Sequence, residues 1–320
     1  MPVKFEYKGT HYKNAIELTR EIPLLTSVLV GWTDGAEILC ANAGALCYDT
    51  NIAPKTIVNK ELIQQMLDTD DFSRFYEAIT YDPGKVGGRI ISHCKDSGHN
   101  TVVEHGSATF VKKVPIFVAR QDLRARHASF DERSLRYCRA GNGGLTYFIP
   151  DYMSEKVESK LAKQGKADEA AFTRSMRQEW VDDHERAIER YSKYTDEELN
   201  EMWESLGLEG ERVRETMRAR LPMGINTMYM DTRNIWSWLH HSGKRLCLRA
   251  QKEIRLVRQQ EVRQLKQIFP TLFADVHMPC FMNGCKESKT CGLIDLHPDS
   301  RLAMKEHIKR HGDDGKSPIR

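Results

Sequence analysis

The 320-residue chain contains no apolar run long enough to cross a bilayer, and its N-terminus shows no basic segment leading into an apolar one. These absences argue against a helical membrane protein and a secretory precursor, so the 8 cysteines are expected as reduced thiols in a cytoplasmic protein. A dominant charge sign is missing too: 48 Lys and Arg against 45 Asp and Glu leave a net charge of +3. The total implies neither a polyanionic partner nor a membrane surface. Basic residues do concentrate near 112–139 and 244–266, which points to a local anionic ligand rather than a broad nucleic-acid stripe. No G-x-x-x-x-G-K-[ST] loop and no convincing G-x-G-x-x-G occurs, so neither a P-loop nor a Rossmann nucleotide site is expected. Internal repeats are also absent.

What is present suits one large domain with a buried core. The first thirty residues read as a small appended element or as an edge strand and helix. Ile38 to Tyr48 is alanine-rich and apolar at helical spacing. Asn59 to Leu67, led by a cap-like asparagine, and Phe72 to Ile79 also read as helices. Pro83-Gly84 and Gly87-Gly88 are expected to break the chain before a helix from Ile90 to Ser97, which Gly98 and Asn100 end. Alternation predicts two strands, Ser107 to Lys112 and Ile116 to Ala119, joined around Pro115. Asn142-Gly143-Gly144 reads as a turn. Residues 151–214, rich in Glu, Lys, Arg and Ala, read as a largely solvated helical insertion. Trp236 to Phe269 predicts a long amphipathic helix or a helix pair, and the last ten residues a free tail.

The densest chemistry lies between Arg124 and Tyr137, where four arginines, two serines and two carboxylates fall within fourteen residues. Guanidinium forks match phosphate oxygens bidentately, so such a segment suits an anionic ligand; a solvated, salt-bridged face is the alternative. Just upstream, Ser97-Gly98-His99-Asn100-Thr101-Val102-Val103-Glu104-His105 offers two imidazoles, a hydroxyl and a carboxylate. Taken alone it also admits a metal site, or polar side chains capping a turn. A third segment runs from Arg218 through Leu221-Pro222, Thr232-Arg233-Asn234 and Arg245 to Ala250-Gln251-Lys252-Glu253-Ile254-Arg255.

These three segments, in this order, resemble the flavin-dependent thymidylate synthases: S-G-H-x-T-x-x-E-H, then R-x-R-x7-S-x-R-Y, then a proline turn, T-x-N and A-Q-x-E-I-R. The resemblance covers roughly 36–50, 90–140 and 215–292, within one domain that carries the insertion 151–214 and a C-terminal extension 277–320. It implies an α+β fold, an antiparallel sheet flanked by helices, assembled as a homotetramer with active sites between chains. The implied activity is methylation of dUMP at C5, with methylenetetrahydrofolate as carbon donor and FAD, reduced by NADPH, as hydride source. Gln121, Arg124, Glu132, Ser134, Arg136, Arg218 and Arg245 fall on dUMP-binding positions, and Arg245 is the implied catalytic residue. His99, Thr101, Glu104, Arg124, Arg126, Asn234 and His240 fall on FAD-binding positions. Two departures sit in the flavin-contacting segments. Ala125 replaces the usual histidine, with His127 two positions later, and Trp236 replaces a common arginine, where it reads equally as a core aromatic of an amphipathic helix or as a ring stacked on a cofactor. With the large insertion they keep open a related C5 modification such as hydroxymethylation, while the basic segments and the C-terminal cysteines keep open a non-catalytic nucleotide- or nucleic-acid-binding relative.

Cys280, Cys285 and Cys291 resemble the cysteine element of a longer subgroup of these synthases. With His277 or Cys247 they could complete a zinc site, but the C-x2-C spacing of a zinc knuckle is missing. A buried thiol cluster without metal is the favoured reading, with a redox pair as a further alternative.

Overall fold

The computed structural model describes residues 22–70, 75–138, 145–280, 285, 288–289 and 291. Residues 1–21 of the opening thirty, the turn at Asn142-Gly143-Gly144 and the terminal tail lie outside them.

A four-stranded antiparallel sheet organises the molecule. Its strands are β1 (Thr26–Trp32), β4 (Ser107–Pro115), β6 (Asn226–Asn234) and β5 (Ala128–Glu132), in the spatial order β1-β4-β6-β5. A separate ribbon pairs β2 (Lys55–Val58) with β3 (Ile79–Asp82). Helices flank the sheet, as the α+β expectation required: α1 (Ala36–Cys47), α2 (Lys60–Thr69), the single turn α3 (Phe75–Ala78), α4 (Gly84–Asp96) and α5 (Ile116–Asp122). Further on come α6 (Glu155–Lys163), α7 (Ala167–Tyr194), α8 (Asn200–Ser205) and α9 (Gly210–Met217) of the insertion, then α10 (Ile235–Arg245), α11 (Lys252–Ile268) and α12 (Pro270–Phe273). Among the described residues no helix is long and apolar enough to cross a membrane.

Three expectations need correcting. Ile116 to Ala119 is helical, not a strand. A four-residue apolar run fits either element, and here Ile116 and Phe117 donate their N–H groups to the carbonyls of Ile225 and Met223, which turns the chain at Pro115. Gly87 and Gly88 lie inside α4 rather than breaking it. A side chain at Gly87 would put its Cβ 3.0 Å from that of Ala41, so the glycine lets α4 lie close against α1. Of the helix expected over Phe72 to Ile79, the described part is one turn followed by β3. Elsewhere the reading holds: Asn59 Oδ1 accepts from the N–H of Leu62 at 3.0 Å and starts α2, and Trp236 to Phe269 is a helix pair.

The main core packs Phe110, Ile91, Leu265, Phe269 and Phe273 around Trp238, whose indole N–H donates to the Ala108 carbonyl at 3.0 Å. The outer edge of β1 is closed by a helix instead of a strand. Gln260 and Gln264, one turn apart on α11, exchange amide hydrogen bonds with the backbone of Leu25, Ser27 and Leu29. An edge satisfied in this way cannot template a foreign strand.

The inward face of the two central strands departs from apolar alternation. Lys112 of β4 and Tyr229, Asp231 and Arg233 of β6 all point inward and are buried, joined by Asp122 of α5 and by Arg258 and Glu261 of α11. Three cations and three carboxylates cancel there. Asp122 is the hub: it accepts from Lys112, from Tyr229 at 3.0 Å, and from Arg233 and Arg258 at 2.8 Å each. Burial pushes the Asp122 carboxyl up, but Lys112, Arg258 and Arg233 together hold it well below the usual carboxylate value. Trp238 is ringed by the same three cations, Lys112 at 5.3 Å, Arg233 at 4.6 Å and Arg258 at 5.1 Å from its ring, a cation–π contact out of reach of water.

Candidate active site

The residues singled out in the sequence fall in four places around this buried network. The first is where α5 and α10 end. Arg245 donates from Nη2 to the Gln121 carbonyl at 2.7 Å, and the Gln121 side chain donates to Gln251. Burial, with Arg258 and Arg233 close by and Asp122 opposing, holds Arg245 below the usual guanidinium value, though still cationic. On the same helix, burial with Arg233 and Arg258 pushes His241 down to about 4, so its imidazole is neutral at pH 7.

The second place follows β5. Glu132 accepts from the Thr227 hydroxyl at 2.8 Å, and Ser134 Oγ accepts from the N–H of Arg136 at 3.2 Å. Arg136 Nε lies 2.7 Å from Glu211 in an ion pair not aligned as a hydrogen bond, with Glu215 at 3.8 Å. Arg214 donates to the Arg136 carbonyl at 2.7 Å, and the buried Tyr191 donates to the Leu135 carbonyl at 3.2 Å. Arg218 is exposed just after α9. Burial raises the Tyr191 phenol, while Arg214, Arg133 and Arg218 oppose it, which marks these cations as neighbours. By composition the insertion reads as largely solvated helices. Its α7 and α9 also hold the Ser134–Arg136 segment, through residues scattered between 191 and 215 with no shared motif.

The third place is the one-turn helix Asn100–Glu104 and its approach. His99, Thr101 and Glu104 are exposed there, and His99 Nδ1 meets the Tyr48 hydroxyl at 3.1 Å. The fourth is the start of α10. Asn234 Oδ1 accepts from the N–H of Ser237 at 2.8 Å and caps the helix, which leaves its Nδ2 available as a donor. Trp236 stacks on His240, and His127 meets Trp236 at a steep angle. The Arg126 carbonyl accepts a long 3.5 Å bond from the Ser237 hydroxyl of this turn, and the Arg124 and Arg126 side chains are exposed, with no ion pair among the described residues.

The second and fourth places bracket β5. Arg126 and Ser134 lie beyond its two ends, so the five-residue strand alone separates them by about 17 Å.

A family described as thymidylate synthase complementing protein (Thy1) matches residues 28–271. The chain belongs to this family. The match spans the sheet, the insertion and α10–α11, and stops before the cysteine-containing extension. The chain is similar to flavin-dependent thymidylate synthases of several organisms. The one from Nitratidesulfovibrio vulgaris is 29% identical over 213 residues, which covers 65% of this chain and 77% of that one. The one from Thermosipho africanus is 35% identical over 166 residues, 52% and 65% of the two chains. The one from Geobacter sulfurreducens is 25% identical over 266 residues, 82% and 92%. Among solved structures, a UMP/dUMP methylase PolB from Streptomyces cacaoi bound with 5-Br UMP aligns with a TM-score of 0.49 at 18% identity, over 79% of this chain and 95% of that one. The chain is an enzyme of the flavin-dependent thymidylate synthase type.

The eight cysteines are free thiols. Burial, and then the neighbouring thiols of Cys291, Cys247 and Cys285, push Cys280 up. Among the described residues no group of three or more His, Cys, Asp or Glu side chains is placed to hold a metal.

Proposed function

We propose that this enzyme converts dUMP to dTMP, with methylenetetrahydrofolate as carbon donor and FAD, reduced by NADPH, as cofactor. The observation that carries the reading is Arg245, tethered to the Gln121 carbonyl and half-buried beside a network that excludes water. In such surroundings a fixed guanidinium stabilises negative charge on a pyrimidine oxygen far better than a solvated one.

The donor set fits FAD. Arg124 and Arg126, without acidic partners among the described residues, match a diphosphate, and Asn234 keeps an amide donor free beside them. His99, Thr101 and Glu104 line the approach, with His240 on the turn that Asn234 caps. When bound, FAD supplies the hydride. The chain's own residues bind and orient. Ser134, Arg136 and Arg218 take the dUMP phosphate, Gln121 and Glu132 its polar edges, and Arg124 serves both ligands. Because Arg136 rests on Glu211, phosphate replaces one anion by another at that guanidinium. The separation across β5 supports sites completed between chains of a homotetramer.

The test is equilibrium titration of the purified protein. FAD should bind at micromolar concentration, and dUMP should bind far more tightly than deoxyuridine. No FAD binding, or equal affinity for the two uracil ligands, would overturn the reading.

A further inference from the structure

Asp122 is the last residue of α5, and the peptide that joins it to Gln121 carries the carbonyl that holds Arg245. That carbonyl is left over by the end of the helix. In a continuing helix it would take the N–H of Ala125, but this N–H goes to the Asp122 carbonyl at 2.9 Å instead. Arg245 Nη2 therefore meets a free acceptor at 2.7 Å, whose direction depends on how one peptide plane is turned.

The Asp122 side chain sets that plane. Its Oδ1 accepts from Arg233 and Arg258 at 2.8 Å each, and its Oδ2 accepts from Lys112 and from Tyr229 at 3.0 Å. These four donors belong to β4, β6 and α11, so three elements grip one buried carboxylate. With two donors on each oxygen, the group cannot swing without breaking several charge-assisted bonds. Helix ends ordinarily fray within the last turn. This one is bolted to the sheet. Arg258 and Arg233 also lie close enough to push on Arg245, and Asp122 opposes them. Stability alone is a poor reason for such a cluster, since apolar residues of similar volume often serve as well. Its place directly behind the Arg245 acceptor gives it another use.

We propose that Asp122 is a positioning residue for the reaction: held by Lys112, Tyr229, Arg233 and Arg258, it fixes the Gln121–Asp122 peptide and, through that carbonyl, the guanidinium of Arg245 at the pyrimidine. The inference rests on the reading of Arg245 as the group that faces dUMP. It places the control of Arg245 in a cluster that no ligand touches.

A double-mutant cycle on turnover tests this, run on the full-length protein with FAD, NADPH, methylenetetrahydrofolate and dUMP. Asp122→Asn keeps the shape but turns one acceptor oxygen into a donor facing cations. It should lower kcat by about tenfold to a hundredfold, as a displaced catalytic group does, with dUMP affinity by calorimetry within about threefold. In the Arg245→Ala background the same substitution should change kcat by less than about twofold, because no guanidinium is left to misplace. Glu261→Gln is the control. It neutralises another carboxylate of the cluster, paired with Lys112 and Arg258 but not with the end of α5. Its melting temperature should fall comparably to that of Asp122→Asn, with kcat within about threefold of the wild type. Should Asp122→Asn not fold, Asp122→Asn combined with Lys112→Met keeps the cluster neutral and carries the same expectations. Equal losses of kcat with and without Arg245, or an equal loss in Glu261→Gln, would overturn the positioning role while leaving the reading of Arg245 intact. Normal turnover in Arg245→Ala, or none in the wild type, would overturn that reading and the positioning role with it.

Discussion

Arg245 and Gln121 are 124 residues apart, yet the guanidinium of one is pinned by the backbone carbonyl of the other at 2.7 Å. The bond joins the C-terminal ends of α5 and α10, and it leaves the remaining guanidinium donors with no other hydrogen bond among the described residues. A cation fixed by one edge and open on the other is prepared for a ligand.

Arg245→Ala should therefore lower turnover with dUMP by about two to three orders of magnitude. Its cost to stability should be only about 1 kcal/mol, the net worth of one hydrogen bond. Steady-state rates and thermal unfolding of the same preparation separate the two effects. Near-normal turnover would mean that Arg245 does not face the pyrimidine.

Asp122→Ala should be far more damaging to the fold than any change in the binding residues. Three buried cations and a buried phenol converge on this carboxylate, which is 1% exposed. Removing it leaves uncompensated charge in the interior, at about 3–5 kcal/mol. Urea denaturation would show the midpoint drop, and added salt should not restore it, because the group is shielded from solvent. A loss below about 1 kcal/mol would show that water reaches the cluster.

Much of the fold was legible because local rules apply to it. Asn59 announced a helix start, the 151–214 segment announced helices by composition, and the proline turn at Leu221-Pro222 announced the break before β6. Ile116 to Ala119 misled because four apolar residues are too short to carry a period. The buried charge cluster was illegible for a different reason. Lys112, Asp122, Asp231, Arg233, Arg258 and Glu261 come from four separate elements, and each alone reads as a solvated residue. The candidate site was legible residue by residue through motif spacing. Its surroundings were not: nothing in the spacing shows that Glu211 waits on Arg136, or that His127 turns back onto Trp236.

Glu37 predicts a pH dependence of stability. Its Oε1 accepts from the N–H groups of Thr271 and Leu272 at 2.6 and 2.8 Å, while Oε2 is buried without a partner. Burial outweighs those bonds and raises the carboxyl from 4.5 to about 6. The folded state holds this proton to higher pH than the unfolded chain does. The associated stability is thus fully present below pH 4.5 and lost as pH rises through about 6. The loss amounts to roughly 2 kcal/mol. Glu37→Gln retains an oxygen for the two amides and cannot ionise, so its advantage over the wild type should grow by that amount between pH 4.5 and 7. Parallel stability curves across this range would contradict the assignment.

Gly224→Ala should destabilise the contact between the insertion and the sheet. The added Cβ would lie 2.3 Å from His184 Nε2, and His184 is held between Trp180 and Tyr147 at ring distances of 4.7 and 5.0 Å. Overpacking of this kind costs about 1–3 kcal/mol. Because α7 also supports the Ser134–Arg136 segment through Tyr191, dUMP affinity should fall together with stability. Unchanged melting would show that the His184 ring moves aside freely.

The most direct measurement is the mass of the nucleotide product after incubation of the enzyme with dUMP, methylenetetrahydrofolate, FAD and NADPH. The account predicts that dUMP gains one methyl group in place of the C5 hydrogen, with no product when either FAD or the folate is omitted. Recovery of unmodified dUMP from the complete mixture, or of a hydroxymethylated nucleotide, would contradict it.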